Sequence, residues 1–199
     1  MIAITADQID STHRGDLVES AIPRLVELGA GRLALPPERT AGDELQLLTA
    51  DPEAALDLAL DLARTGAWSI GLGVGEVALP LPDSTRASSG EALVLAREAV
   101  EAAKGRALPL VVRAGAGREP DTPTLQAMVD LLLHLRERRS PEGWELVDLV
   151  ESGLTQAEAA ARLGITPQAA SKRAIAAALR LDGAARRGLA RLVALADSA

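Results

Sequence analysis

Residues 154–181, LTQAEAAARLGITPQAASKRAIAAALRL, read as two capped helices joined by a tight turn. Thr155 is a favourable N-cap, and Glu158, three residues on, can reach back to its backbone N–H, so the two form a capping box. Ala159 and Leu163 then fall on one face at i and i+4, and Gly164 stands where a left-handed C-cap is needed. Ile165 plugs the corner, while Thr166 followed by Pro167 supplies the N-cap and first turn of a second helix. That helix offers Gln168, Ala169, Ser171 and Lys172 on its leading turns, with Arg173 and Arg180 further along. These residue types suit a DNA groove: glutamine pairs two-pronged with adenine, serine bonds several base edges, and lysine or arginine meets guanine or phosphate. An ordinary helical hairpin carries the same caps, so the caps alone do not specify DNA.

The pattern T-Q-x-E-A-A-x-x-L-G-I-T-P-Q-A-x-S-K-R resembles helix-turn-helix segments of the sigma-factor and MarR-like kind. The resemblance implies that the second helix is a recognition helix and that double-stranded DNA is the partner, met through Gln168, Ala169, Ser171, Lys172 and Arg173. Ala170 and Ala174 stand where such helices usually carry larger aliphatics. One recognition helix reads few base pairs, so a homodimer on paired half-sites is expected. A helix predicted over 124–138, with Leu131, Leu132 and Leu135, is its seam.

Composition narrows the remaining possibilities. The chain has 199 residues and is 48% hydrophobic, enough for one ordinary domain or two small ones. It has no Phe and no Tyr, so Trp68 and Trp144 sit among Leu, Val, Ile and Ala, and stacking of single-stranded bases on aromatics is not expected. It has no cysteine, which excludes disulfides, thiolate zinc sites and cysteine nucleophiles, and its two histidines, His13 and His134, make no cluster. No basic segment leads into a long apolar run at the N-terminus and no stretch approaches membrane-spanning length, so a cytoplasmic protein without a membrane partner is expected. The net charge of −7 opposes nucleic-acid binding by the whole surface. Over 172–191, however, the charges are Lys172, Arg173, Arg180, Arg186, Arg187 and Arg191 against Asp182 alone.

Ahead of this basic end, strands and helices alternate. Residues 2–6, IAITA, form a β-type run that delivers Asp7 and Asp10 to a strand end. A helical stripe over 16–28 contains Pro23 and stops at Gly29. Residues 33–36 and 44–48 read as a hairpin around PPERTAGD. Asp51 and Pro52 cap a helix to Arg64, and WSIGLGVGEV over 68–77 is the next strand. Its glycines do not open a helix, so the dinucleotide fingerprint is rejected in favour of close approach by a neighbouring backbone or a ligand. A helix over 90–104, a strand over 110–112 and the linker RAGAGREPDTP follow. After the helix over 124–138, residues 144–150 supply the first helix of the DNA module and 189–195 the last. The expected division is an α/β domain over 1–114, a linker and connecting helix over 115–140, and an all-α helix-turn-helix domain over 141–199.

This order is that of an α/β sandwich, an α+β ferredoxin-like or palm arrangement. The segments TADQIDST, RTAGDELQLL, SIGLGVG and EAVEAAKGR resemble those of class III nucleotidyl cyclase and GGDEF palm domains. That resemblance places Asp7 and Asp43 on the family's two metal-binding carboxylates, which would be the catalytic pair in an active enzyme, and Lys104 on a phosphate-contacting lysine. Asp10 and Glu44 stand in reserve. It implies Mg²⁺ with a purine nucleotide, since two carboxylates at adjacent strand ends can hold the metal against a triphosphate. The departures are Ala41 for the first glycine, Leu45 for the aromatic, Val94 near a transition-state asparagine, and Arg97 one residue out of register. Over its full length the chain also resembles the bacterial SatD family, with its ITAD-type start and C-terminal helix-turn-helix. The expectation is a DNA-binding transcriptional regulator with a degenerate cyclase-like sensor domain and a nucleotide effector. Its rival is a Mg-dependent nucleotidyl cyclase or nucleotidyltransferase whose C-terminal helices dimerise or dock.

Overall fold

The computed structural model describes residues 1–198. The elements run β1 (Ile2–Gln8), α1 (Ser11–Arg14), α2 (Val18–Leu28), β2 (Leu33–Arg39), β3 (Glu44–Thr49), α3 (Pro52–Arg64), β4 (Trp68–Val74), α4 (Glu91–Ala103), β5 (Leu110–Ala114) and α5 (Thr122–Glu137). Four more helices follow: α6 (Pro141–Glu151), α7 (Gln156–Arg162), α8 (Pro167–Ala176) and α9 (Leu179–Ser198). The architecture is mixed α/β, and no helix among the described residues is long and apolar enough to cross a membrane. The chain divides into two compact units, Met1–Asp130 with the residues from Gly188 onward, and Leu131–Arg187.

The first unit is organised by a five-stranded sheet in the order β2-β3-β1-β4-β5. β1 is central and antiparallel to both β3 and β4, β2 is antiparallel to β3, and β4 and β5 run parallel. Side chains alternate between faces along each strand. Ala3, Thr5 and Asp7 therefore share a face with Leu48, Gln46 and Glu44 opposite them on β3, and with Gly73, Gly71 and Ser69 opposite them on β4. On that face Ala3 and Leu48 form one cluster with Ala92, Leu93 and Ala96 of α4.

The glycines of β4 explain how closely α4 lies. A Cβ at Gly71 would stand 2.1 Å from the carbonyl oxygen of Ala96, and one at Gly73 would stand 2.1 Å from that of Ala92. The backbone admitted by these glycines is thus that of α4, which turns its alanines Ala92, Ala96, Ala99 and Ala103 inward. On the opposite face Trp68, Ile70 and Leu72 are buried, with α3 packed against β4. Asp51 starts α3 by accepting from the N–H groups of Glu53 and Ala54, with Pro52 in the first turn. β4 ends at Val74, earlier than the β-type composition up to Val77 indicates, and the following segment leaves the sheet. The exposed edge of β5 is sealed by side chains of α5: Gln126 Oε1 accepts from Val112 N at 2.9 Å and Thr122 Oγ1 from Ala114 N at 2.8 Å.

The second unit contains α6, α7 and α8, whose common core is Leu146, Ala159, Ala160, Ala170 and Ala174, flanked by Leu149, Leu163, Ile165 and Leu179. A polar knot ties its remaining parts. Asp182, 2% exposed, accepts from Arg136 Nε at 2.8 Å, and the Arg139 guanidinium lies 4.1 Å from the centroid of the Trp144 ring. Burial pulls the Arg139 pKa below its ordinary value against the opposing charge of Asp182. Arg139 Nε also donates to Ala177 O at 3.0 Å. There the chain breaks: Ala178 adopts φ 52, so α8 stops at Ala176 and Arg180 belongs to α9 rather than to α8.

Two glycine substitutions separate close packing from backbone freedom. Gly71→Ala should cost about 1–3 kcal/mol or more, because the helix backbone cannot yield as a side chain would. Gly188→Ala, inside α9 with nothing within 4 Å, should be neutral or stabilising by about 0.5–1 kcal/mol. Denaturant unfolding of the two variants beside the parent checks both values.

Candidate functional site

Two sets of residues have the composition of a functional site, one in each unit. In the second unit the local chemistry of the turn is complete. Thr155 N donates to Glu158 Oε2 at 2.8 Å while Glu158 N donates to Thr155 Oγ1 at 3.2 Å, which closes the capping box at the start of α7. Gly164 has φ 65, and Ile165 N reaches back to Ala160 O at 3.0 Å, ending the helix in a left-handed cap. Thr166 Oγ1 then accepts from Ala169 N at 3.1 Å, with Pro167 in the first turn of α8.

Packing decides which face of α8 is free. Ala170 and Ala174 are buried against α6 and α7, which turns that side of α8 inward. Gln168, Ala169, Ser171 and Lys172 are exposed on the other side. Arg173 differs: it is only partly exposed and turns back to α6, with Nη1 3.8 Å from Glu145 Oε2. Over 159–181 the sequence holds Arg162, Lys172, Arg173 and Arg180 and no carboxylate, in a chain whose net charge is −7. The exposed face of α8 thus carries hydrogen-bonding groups in a locally cationic stretch, which is the electrostatic form a polyanion requires.

In the first unit the backbones of Asp7, Asp43 and Glu44 lie at one end of the sheet. Asp7 lies opposite Glu44 in the ladder, and Gln8 N donates to the carbonyl of Asp43 at 3.1 Å, so Asp7 and Asp43 sit on neighbouring strand ends. Lys104, just past the end of α4, places Nζ 3.3 Å from Asp7 Oδ2 and 2.9 Å from Glu101 Oε1. Its pKa is raised, first by the hydrogen bond with Glu101 and then by Asp7, with desolvation opposing both. Glu44, 3% exposed, forms an ion pair with Arg97 and accepts from the Thr40 hydroxyl. Asp10 lies apart, at the start of α1, where Oδ1 meets His13 Nδ1. Val94 is 57% exposed.

Several residues of this end carry no motif. Gln8 is buried and pins the α1–α2 connection, with Nε2 donating to Gly15 O at 2.6 Å and Oε1 accepting from Leu17 N at 2.9 Å. A cavity of about 330 Å³ opens beside it, lined by Arg14, Ser20, Arg24, Thr65 and Trp68 among others. The alternation of β1 marks Gln8 as an inward polar residue, but nothing local in the sequence indicates what it would hold.

Among the described residues no three His, Asp or Glu side chains gather around one point, and Asp7 and Glu44 each already meet a cation. The described residues do not by themselves form a complete set of Mg²⁺ ligands. No protein-family model, no curated protein and no solved structure matches the chain.

Two measurements follow from these contacts. Hydrogen bonds from Thr155, its backbone N–H first and its hydroxyl second, hold the Glu158 carboxyl below the usual glutamate value of about 4.3. A depressed carboxyl pKa contributes stability at higher pH that is lost as pH falls through the folded value. The Thr155 and Glu158 amide resonances should shift with a midpoint below that of an unperturbed glutamate, and Glu158→Gln should abolish that titration. At the sheet end, Arg97→Met strands the buried Glu44 carboxylate and should cost about 1–3 kcal/mol in unfolding free energy, with Glu44→Gln in the same chain recovering most of it.

Proposed function

We propose that the chain is a DNA-binding transcriptional regulator, with α8 as its recognition helix and the sheet unit as a degenerate cyclase-like sensor. The observation that carries this reading is the free face of α8: Gln168, Ala169, Ser171 and Lys172 stand exposed on a helix whose opposite side is locked by Ala170 and Ala174. Gln168 and Ser171 supply base-edge hydrogen bonds, and Lys172 a cation for guanine or phosphate. Arg173 contributes less, because contact with DNA has to compete with Glu145.

The palm reading of the sheet unit is supported by its order of elements and strands. β1 and β2 are parallel with β3 between them, β3 and β4 are parallel with β1 between them, and two helices join β1 to β2. The proposed effector is a purine nucleotide carrying its own Mg²⁺, with Asp7 and Asp43 toward the metal and Lys104 toward phosphate. When bound, the metal would supply charge neutralisation of the phosphates. The ion pair of Lys104 with Asp7, with the Asp43 backbone on the neighbouring strand end, also supports the rival, a nucleotidyl cyclase or nucleotidyltransferase. Calorimetric titration with MgATP and MgGTP, followed by product analysis, separates sensor from enzyme. A homodimer remains part of the proposal. Of the three leucines offered for its seam, Leu131 is 64% exposed whereas Leu132 is 3% exposed, so Leu131 is the one of the three most available to a second copy.

The full chain should bind duplex DNA at low salt, with log affinity falling linearly in log salt as phosphate counterions are released. If Lys172 meets phosphate, Lys172→Ala should lower affinity similarly across sequences and reduce the salt slope by about one. Arg173→Ala should have the smaller effect. Fluorescence anisotropy across a salt series gives both, and absence of binding to any duplex at low salt would remove the reading.

A further inference from the structure

One side chain on the free face of α8 has no use in hydrogen bonding or charge pairing. Ile175 is 77% exposed. It follows Ser171 by four residues and Lys172 by three, so it shares their stripe, and Gln168 begins that stripe two turns earlier. Ala170, Ala174 and Ala177 are buried on the opposite side. A helix that lays Gln168 and Lys172 against a ligand therefore lays Ile175 against it as well.

The chemistry of Ile175 restricts what it can meet. A β-branched side chain in a helix keeps one dominant rotamer, so Ile175 presents fixed methyl groups rather than an adaptable chain. It forms the wall of a groove shared with Ser171, Ala174, Ala178, Leu179 and Leu181. The surrounding stretch is cationic and without carboxylates over 159–181, which is complementary to a polyanion. Within the major groove the apolar feature on a base edge is the 5-methyl group of thymine. Residue 175 lies seven positions beyond 168, about 10.5 Å along the helix axis, or about three base-pair steps.

We propose that Ile175 is a specificity-determining residue that reads thymine through its 5-methyl group, about three base pairs from the base met by Gln168. This rests on the DNA-binding reading above and names the sequence feature that the same face selects.

The experiment starts from the full chain and a pool of duplexes with a randomised core, enriched at low salt. In the enriched duplex each thymine is then replaced singly by deoxyuridine, which removes the methyl group and nothing else. For the parent, one replacement should weaken binding about three- to fivefold, the loss expected for one buried methyl group. Ile175→Ala, at an exposed position where folding is not at stake, should bind the thymine and deoxyuridine duplexes equally. If the pool is enriched but no replacement distinguishes the parent from Ile175→Ala, the thymine assignment is wrong and DNA binding stands. Binding without any enrichment also overturns it. If Ile175→Ala weakens every duplex alike and sediments as a smaller species than the parent, Ile175 is a contact between copies of the chain. If the parent binds nothing in the pool, the DNA reading falls and takes this inference with it.

Discussion

Close approach of backbones through residues with little or no side chain is the constraint on which both units depend. A chain with no Phe and no Tyr cannot fill wide gaps between layers with rings, so it narrows the gaps instead. Gly71 and Gly73 bring α4 onto the sheet, and the alanines of α4 complete the contact. In the second unit Ala170 and Ala174 do the same for α8 against α6 and α7. The functional consequence differs between the two. On the sheet, the approach carries Arg97 and Lys104 to Glu44 and Asp7. In the helical unit it fixes which face of α8 points outward, and so selects Gln168, Ser171, Lys172 and Ile175 as the surface residues.

Electrostatics sorts these surfaces. The chain is acidic as a whole, and many of its carboxylates are tied to cations: Asp61 to Arg24, Asp16 to Arg39, Glu44 to Arg97 and Asp182 to Arg136. Most such exposed pairs contribute little to stability, but they leave few cations for a partner. Lys172 and Arg180 stand in the part of the sequence where no carboxylate competes, whereas Arg173 is met by Glu145 from α6. Under the proposed DNA-binding reading, a local cationic stretch is what would orient a protein of net charge −7 on DNA.

How much of this was legible in the sequence follows from how local each determinant is. The Thr155–Glu158 box, the Gly164 stop and the Thr166–Pro167 start involve residues within a few positions of one another, and the structure places each where the sequence puts it. The end of α8 was not legible. It depends on Arg139 donating to Ala177 O from 38 positions away, and alanine at φ 52 leaves no local signature. Asp7, Asp43 and Lys104 are named by resemblance alone; in the structure Lys104 pairs with Asp7, and the Asp43 carbonyl accepts from Gln8 N on the neighbouring strand. Arg97 on Glu44, and Gln8 on Gly15 and Leu17, were not anticipated, because a composition pattern cannot show which polar residue an inward-facing strand position will hold. Ile175 was overlooked because its exposure is decided by Ala170 and Ala174, whose role is visible only once α8 is packed.

The proposed function requires α8 to be the surface that meets DNA. Amide chemical shifts of the full chain, titrated with an enriched duplex at low salt, test this most directly. The account predicts that the largest changes fall on Gln168, Ala169, Ser171, Lys172 and Ile175, with the sheet strands unmoved. Measurable binding that leaves the α8 amides in place, with the changes concentrated elsewhere, would contradict it.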